Sequence, residues 1–71
     1  MERFGEKLRA LRKQNNMTLN GLAHELGIKS HSYISALETS KKYPSVELLI
    51  KISHLFNISM DQLVNDNLDL Q

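Results

Sequence analysis

Apolar residues recur along this chain at helical spacing. Phe4, Leu8 and Leu11 fall at i, i+4 and i+7, with Glu6, Lys7, Arg9, Arg12 and Lys13 on the other faces, which predicts a helix over about residues 3–14. Asn15-Asn16 closes it, since asparagine tolerates the left-handed backbone that ends many helices. Thr18 suits the N-cap of a second helix, where Leu22, Ala23 and Leu26 share a face and Gly27 is the stop. Gly21 inside that helix costs roughly 1 kcal/mol relative to alanine, so packing must hold it more than propensity does. Ser30 caps a third, short helix whose inward positions are Ile34, Leu37 and part of Tyr33. After a loop at Lys41-Lys42-Tyr43-Pro44, Ser45 caps a fourth helix, with Glu47 in the first turn where the helix dipole favours a carboxylate. Here Val46, Leu48, Leu49, Ile50, Ile52, Leu55 and Phe56 cover more than one stripe, leaving apolar surface for a neighbour. Ser59-Met60-Asp61-Gln62 reads as a capping box opening a fifth helix, with Leu63 and Val64 packing back. Asn65 to Gln71 is too polar to assign, although Leu68 and Leu70 alternate as in an added strand or an interface segment.

The third helix is unlike one that only packs. Its positions other than Ile34 and Leu37 are small polar groups with an imidazole and a phenol, and His31, Ser32 and Ser35 supply donors and acceptors in place of charge. Small side chains allow close approach to another surface, and uncharged donors and acceptors suit the reading of base edges in a DNA major groove.

Seventy-one residues bound the chain to one domain, because so short a chain buries only about 60% of its unfolded surface and cannot divide its core. Without cysteine there are neither disulfides nor thiolate metal sites, which fits a reducing cytoplasm. No apolar run approaches the roughly 20 residues of a bilayer span, and the first residues lead into an amphipathic helix instead of a signal-peptide core. A soluble, cytoplasmic protein without a membrane role is the expectation. Net charge is only +1, yet residues 1–60 carry +4 and residues 61–71 carry −3 from Asp61, Asp66 and Asp69. Phosphate would repel that acidic end, so it is expected to lie away from any DNA face.

Enzymatic readings find little support. His24-Glu25 begins a zinc-protease pattern, but Ile28 stands where the second histidine must be. His24, His31 and His54 have no carboxylate or cysteine at ligand spacing, and no glycine-rich phosphate loop is present. A helical bundle this small has little room for a deep pocket, so no catalytic residue, cofactor, metal or small-molecule effector is expected.

The second helix, the turn at Gly27 and the third helix form a helix-turn-helix. From Phe4 to Val64 the chain resembles the Cro/C1-type (XRE) helix-turn-helix family of phage repressors and small bacterial regulators. The matching pieces are Phe4-Gly5-Glu6-Lys7-Leu8-Arg9-Ala10-Leu11-Arg12, Leu22-Ala23 with Leu26-Gly27, Ser32-Tyr33-Ile34-Ser35 with Leu37-Glu38, Lys41-Lys42 with Pro44-Ser45, and Ile58-Ser59 with Leu63. Their order and spacing carry the resemblance, since no single piece is specific. It implies an all-α, compact five-helix bundle of the lambda-repressor-like type over residues 1–65, followed by a short acidic tail over 66–71. It also implies that the third helix enters the major groove with His31, Ser32 and Ala36 facing bases; Ser35 joins them as a base contact on its own chemistry, since its hydroxyl can bond a base or a phosphate. Thr18, Tyr33, Thr39, Lys41 and Lys42 match positions that meet the DNA backbone. Arg12 and Glu38 match a partly buried ion pair that ties the first helix to the third.

Three departures stand out. Leu19 occupies the place of a phosphate-binding glutamine, the turn before Ser30 holds one extra residue, Lys29, and Ser40 replaces a usual glycine. The resulting expectation is a sequence-specific, double-stranded-DNA-binding transcriptional regulator acting as a homodimer, paired through helices 4 and 5 and the C-terminal segment. Its rival is a protein-interaction module, such as an antitoxin or adaptor, in which DNA binding is secondary.

Overall fold

The computed structural model describes residues 1–70; Gln71, the last residue of the expected tail, lies outside them. Five helices follow in order: α1 (Phe4–Gln14), α2 (Leu19–Glu25), α3 (His31–Glu38), α4 (Val46–Phe56) and α5 (Met60–Val64). Among the described residues there is no strand, so Leu68 and Leu70 do not extend a sheet.

Local chemistry explains where the helices begin. Thr18, Ser30, Ser45 and Ser59 are all extended N-cap residues whose hydroxyls accept the exposed amide of the following turn. At Ser59 the capping box is complete, with Gln62 returning its side-chain oxygen to the Ser59 amide.

The ends are equally regular. Asn16, Gly27, Ser40 and Asn57 all have positive φ. After each of them the next amide reaches back five residues: Met17 to Arg12, Ile28 to Ala23, Lys41 to Ala36 and Ile58 to Ser53. This is the Schellman closure, and it satisfies carbonyls that the helix leaves free. Ser40 thus adopts at φ 62° the left-handed conformation for which glycine is suited.

The core joins all five helices: Phe4, Leu8 and Leu11 meet Leu22, Ala23, Leu26, Ile34, Leu37, Leu48, Leu49, Ile52 and Leu63. These are the apolar stripes read from the sequence, apart from the surplus on α4, where Val46, Ile50 and Leu55 stay exposed.

Gly5 lets α1 lie directly against the end of α3. A Cβ there would sit 2.6 Å from the carbonyl oxygens of both Leu37 and Glu38.

Lys7 corrects the sequence reading, which set it on an outer face. It is only 2% exposed, and its Nζ donates to the carbonyls of Gln62 (2.6 Å) and Asn65 (2.8 Å) at the end of α5. A cation at a helix C-terminus is favoured by the dipole, and the two carbonyls supply the bonds that burial requires.

α1 has no cap from its own N-terminal segment. Asp66, from the far end of the chain, instead ties down the residues that lead into it, its carboxylate accepting the amides of Glu2 and Arg3, both at 2.9 Å. The Met1 ammonium lies 3.4 Å from it, and Arg3 bonds the Asp66 carbonyl and the Asp69 carboxylate. Leu70 packs against the core, and its carbonyl accepts from Gln62. At about 100° per residue, Gly5 and Arg12 share the face of α1 that meets α3, and Lys7 lies on the opposite face. The acidic segment is therefore held on the side of α1 away from α3.

Candidate nucleic-acid interface

The helix-turn-helix is built from α2, the turn over residues 26–30, and α3. Ile34 and Leu37, with no exposed surface, anchor α3 to the core. Apart from Tyr33 and Glu38, its remaining positions and the C-cap Thr39 fan out at about 100° steps in the angular order His31, Ser35, Thr39, Ser32, Ala36, an uncharged arc of about 140°. His31, Ser32 and Thr39 are exposed, while Ser35 and Ala36 are half-buried. The structure thus gathers the four residues read as base contacts onto one side of one helix.

Ser32 is not a free hydroxyl. Its Oγ lies 2.6 Å from Ser30 Oγ, and its amide donates to the same Ser30 oxygen at 3.3 Å. Thr39, read as a backbone contact, donates its hydroxyl proton to the Ser35 carbonyl at 2.9 Å, so its oxygen is left as an acceptor and must rotate to donate to phosphate.

The cations lie at the edges of this arc. Lys41 and Lys42 follow α3 directly, and both amides donate to the Ala36 carbonyl. The Lys42 ammonium stands 5.6 Å from the centre of the half-buried Tyr33 ring, a cation–π contact that holds the charge beside the helix. Lys29 is exposed in the turn. Thr18 is exposed at the start of α2, its Oγ1 accepting the Gly21 amide at 2.9 Å. Leu19 instead packs against the core, so it offers no hydrogen bond at the position of the family's glutamine.

Glu38 is the one acidic residue on α3, and Arg12 neutralises it. The guanidinium makes two bonds to the carboxylate, Nε to Oε2 at 2.7 Å and Nη2 to Oε1 at 3.2 Å. Its Nη1 donates to the Met17 carbonyl, which joins α1, the α1–α2 turn and α3. The hydrogen bond to Glu38 raises the Arg12 pKa above its ordinary value.

Other surface features are less organised. His24, Glu25, Lys51 and His54 border an open groove between the end of α2 and α4. Among the described residues no three His, Asp or Glu side chains are grouped to hold a metal. Nor is any helix long and apolar enough to cross a membrane.

Sequence reading missed Ser30 as a partner of Ser32, Gly5 as a contact point, and Lys7 and Asp66 as clamps. Only the first left a local signal, two hydroxyls at i and i+2 across a helix start.

A helix-turn-helix family model matches residues 8–63. The chain is 40% identical over 62 residues to the HTH-type transcriptional activator BcrR of Enterococcus faecalis, a match covering 87% of this chain and 30% of BcrR. It is 36% identical over 62 residues to the uncharacterized HTH-type transcriptional regulator YazB of Bacillus subtilis, covering 87% and 88% of the two chains. The uncharacterized HTH-type transcriptional regulator YqaE of the same organism is 36% identical over 61 residues, a match covering 86% of this chain and 52% of YqaE. The chain thus spans about half, or less, of BcrR and YqaE. Its structure superposes on the N-terminal DNA-binding domain of SinR from Bacillus subtilis with a TM-score of 0.81 at 27% identity, covering 93% of this chain and 96% of that one. Matching family, relatives and architecture agree: the chain belongs to the XRE-type helix-turn-helix family of DNA-binding transcriptional regulators.

Proposed function

We propose that this protein binds a specific sequence in double-stranded DNA by inserting α3 into the major groove. The observation that carries the reading is the uncharged arc of α3, small enough for close approach and flanked by Lys41 and Lys42. His31, Ser32, Ser35 and Ala36 face base edges, where hydroxyl and imidazole groups bond bases and the Ala36 methyl meets a thymine methyl. Thr18, Tyr33, Thr39, Lys41 and Lys42 meet the sugar–phosphate backbone, which sets register and affinity without reading sequence.

One short helix reads few base pairs, so two copies act together on a pseudo-palindrome with half-sites about 34 Å apart. The pairing surface is the later part of the chain. Leu63 and Leu70 are engaged by the chain's own core, which leaves Val46, Ile50, Leu55 and Leu68 as its exposed apolar groups. Sedimentation at micromolar concentration with and without DNA is expected to show two subunits in at least one state, and a single subunit in both rejects the dimer.

Selection of bound fragments from random duplex DNA tests the whole reading. A two-fold symmetric motif is the expected result, and His31→Ala with Ser32→Ala should abolish selective retention without loss of helix content. The exposed apolar side of α4 favours a second reading, a module whose main partner is a protein. Under it no motif emerges, and only substitutions on α4 and α5 alter function.

A further inference from the structure

The start of α3 holds a hydroxyl pair of which the proposed set of base contacts uses only one member, Ser32. Ser30 lies outside the reading arc, but its Oγ touches Ser32 Oγ at 2.6 Å and accepts the Ser32 amide. Both residues are exposed, so no packing restrains the Ser32 hydroxyl, and the Ser30 oxygen is what orders it.

A hydroxyl has one proton and two acceptor positions. Ser30 commits one acceptor position to the Ser32 amide and retains a proton and a second acceptor position. Two arrangements follow at the same heavy-atom geometry. If Ser30 donates to Ser32, the Ser32 proton is free for an acceptor on a base, such as guanine O6 or N7 or thymine O4. If Ser32 donates to Ser30, only the Ser32 lone pairs remain, and these suit the amino groups of cytosine or adenine.

We infer that Ser30 is a specificity-determining positioning residue, which holds the Ser32 hydroxyl toward the DNA and, by donating to it or accepting from it, sets whether Ser32 presents its proton or only its lone pairs. This rests on the proposed reading of Ser32 as a base contact. Two substitutions separate the capping role of Ser30 from its pairing role. Ser30→Gly costs a helix start little compared with alanine and removes the paired hydroxyl. Ser30→Asp is an equally good cap but only accepts, so it draws the Ser32 proton toward itself.

The test is selection from a random duplex library with the full chain, comparing wild type, S30G, S30D and S32A, with circular dichroism confirming that each is folded. Base preference, and not affinity, is the readout, since the added charge of S30D weakens binding to every sequence. S32A should flatten the preference at one base-pair position, by about 3- to 10-fold for one neutral hydrogen bond. S30G should flatten the same position, and S30D should shift it toward bases that present an amino group. Loss of capping alone would lower affinity without moving preference at that position. If S32A flattens the position while S30G and S30D leave it unchanged, the inference is overturned and the proposed function stands. If S32A leaves the wild-type motif intact, Ser32 is no base contact and the inference falls with that assignment. Absence of any wild-type motif removes the proposed function itself.

Discussion

Arg12 and Glu38 face each other through two hydrogen bonds, with side chains only 13% and 6% exposed. A third bond from Arg12 to the Met17 carbonyl makes the pair a junction of three elements. Removing one partner strands the other charge where water reaches it poorly, and such a loss costs about 3 kcal/mol or slightly more. Arg12→Met and Glu38→Leu are each expected to lower unfolding free energy by about that amount. The double variant should recover part of it, since an apolar pair leaves no stranded charge. Urea denaturation of the three variants checks this, and additive losses would contradict it.

Gly5 is expected to resist even the smallest side chain. The added methyl of Gly5→Ala would lie 2.6 Å from two backbone carbonyls of α3, and neither can swing aside as a flexible side chain could. The helices must separate, at about 2 kcal/mol. Because α3 moves with that contact, DNA affinity should fall in the folded variant as well. Urea unfolding and a DNA titration at one fixed salt concentration report the two effects separately.

Ser40 should behave in the opposite way. Its positive φ strains any residue with a Cβ, and the amides of Ser40 and Lys41 complete the closure of α3 whatever the side chain. Ser40→Gly is therefore expected to stabilise the fold by about 1 kcal/mol with little change in DNA binding. An unchanged or lowered melting temperature would show that the strain is absorbed elsewhere.

Asp66 makes the fold sensitive to acid. Its carboxyl is held below its ordinary pKa, first by the Arg3 amide and then by the Glu2 amide, with the N-terminal ammonium adding to the effect. The folded state thus favours the ionised form. Its contribution is complete above the ordinary carboxyl range of about 4 and is lost as pH falls through the lowered value. Asp66→Asn should melt below wild type at pH 7, and the gap should close as acid removes the wild-type charge. Melting curves from neutral to strongly acidic pH measure this, and a constant gap would contradict the clasp.

Lys41 and Lys42 are expected to act on all DNA sequences alike. Replacing either with alanine should weaken binding without altering the selected motif and reduce the slope of log K against log salt by about 0.9. A sequence-dependent effect would mean that the lysine reads bases.

The helices were legible because their determinants are local. Thr18, Ser30, Ser45 and Ser59 each meet an amide within three residues, and the apolar spacing of Leu8 and Leu11 or Ile34 and Leu37 marks a face without reference to any partner. Much of the candidate interface was legible for the same reason: the outward residues of a short helix follow from the identity of its inward ones. Where the reading failed, the partner was distant in the chain. Lys7 resembles its solvent-facing neighbours Glu6 and Arg9 in sequence and differs only by meeting carbonyls 55 and 58 residues away.

By itself, then, the order of residues determined five helices, their start points, most of the core and the uncharged outer side of α3. Tertiary structure alone decided that Lys7 is buried, that Gly5 admits α3, that Asp66 clasps the amides ahead of α1 and that Leu70 joins the core. Periodicity records which residues leave water, because that is a property of one helix at a time. It carries no record of which groups meet across the fold, where hydrogen bonds and close backbone contacts are made between segments far apart in the chain.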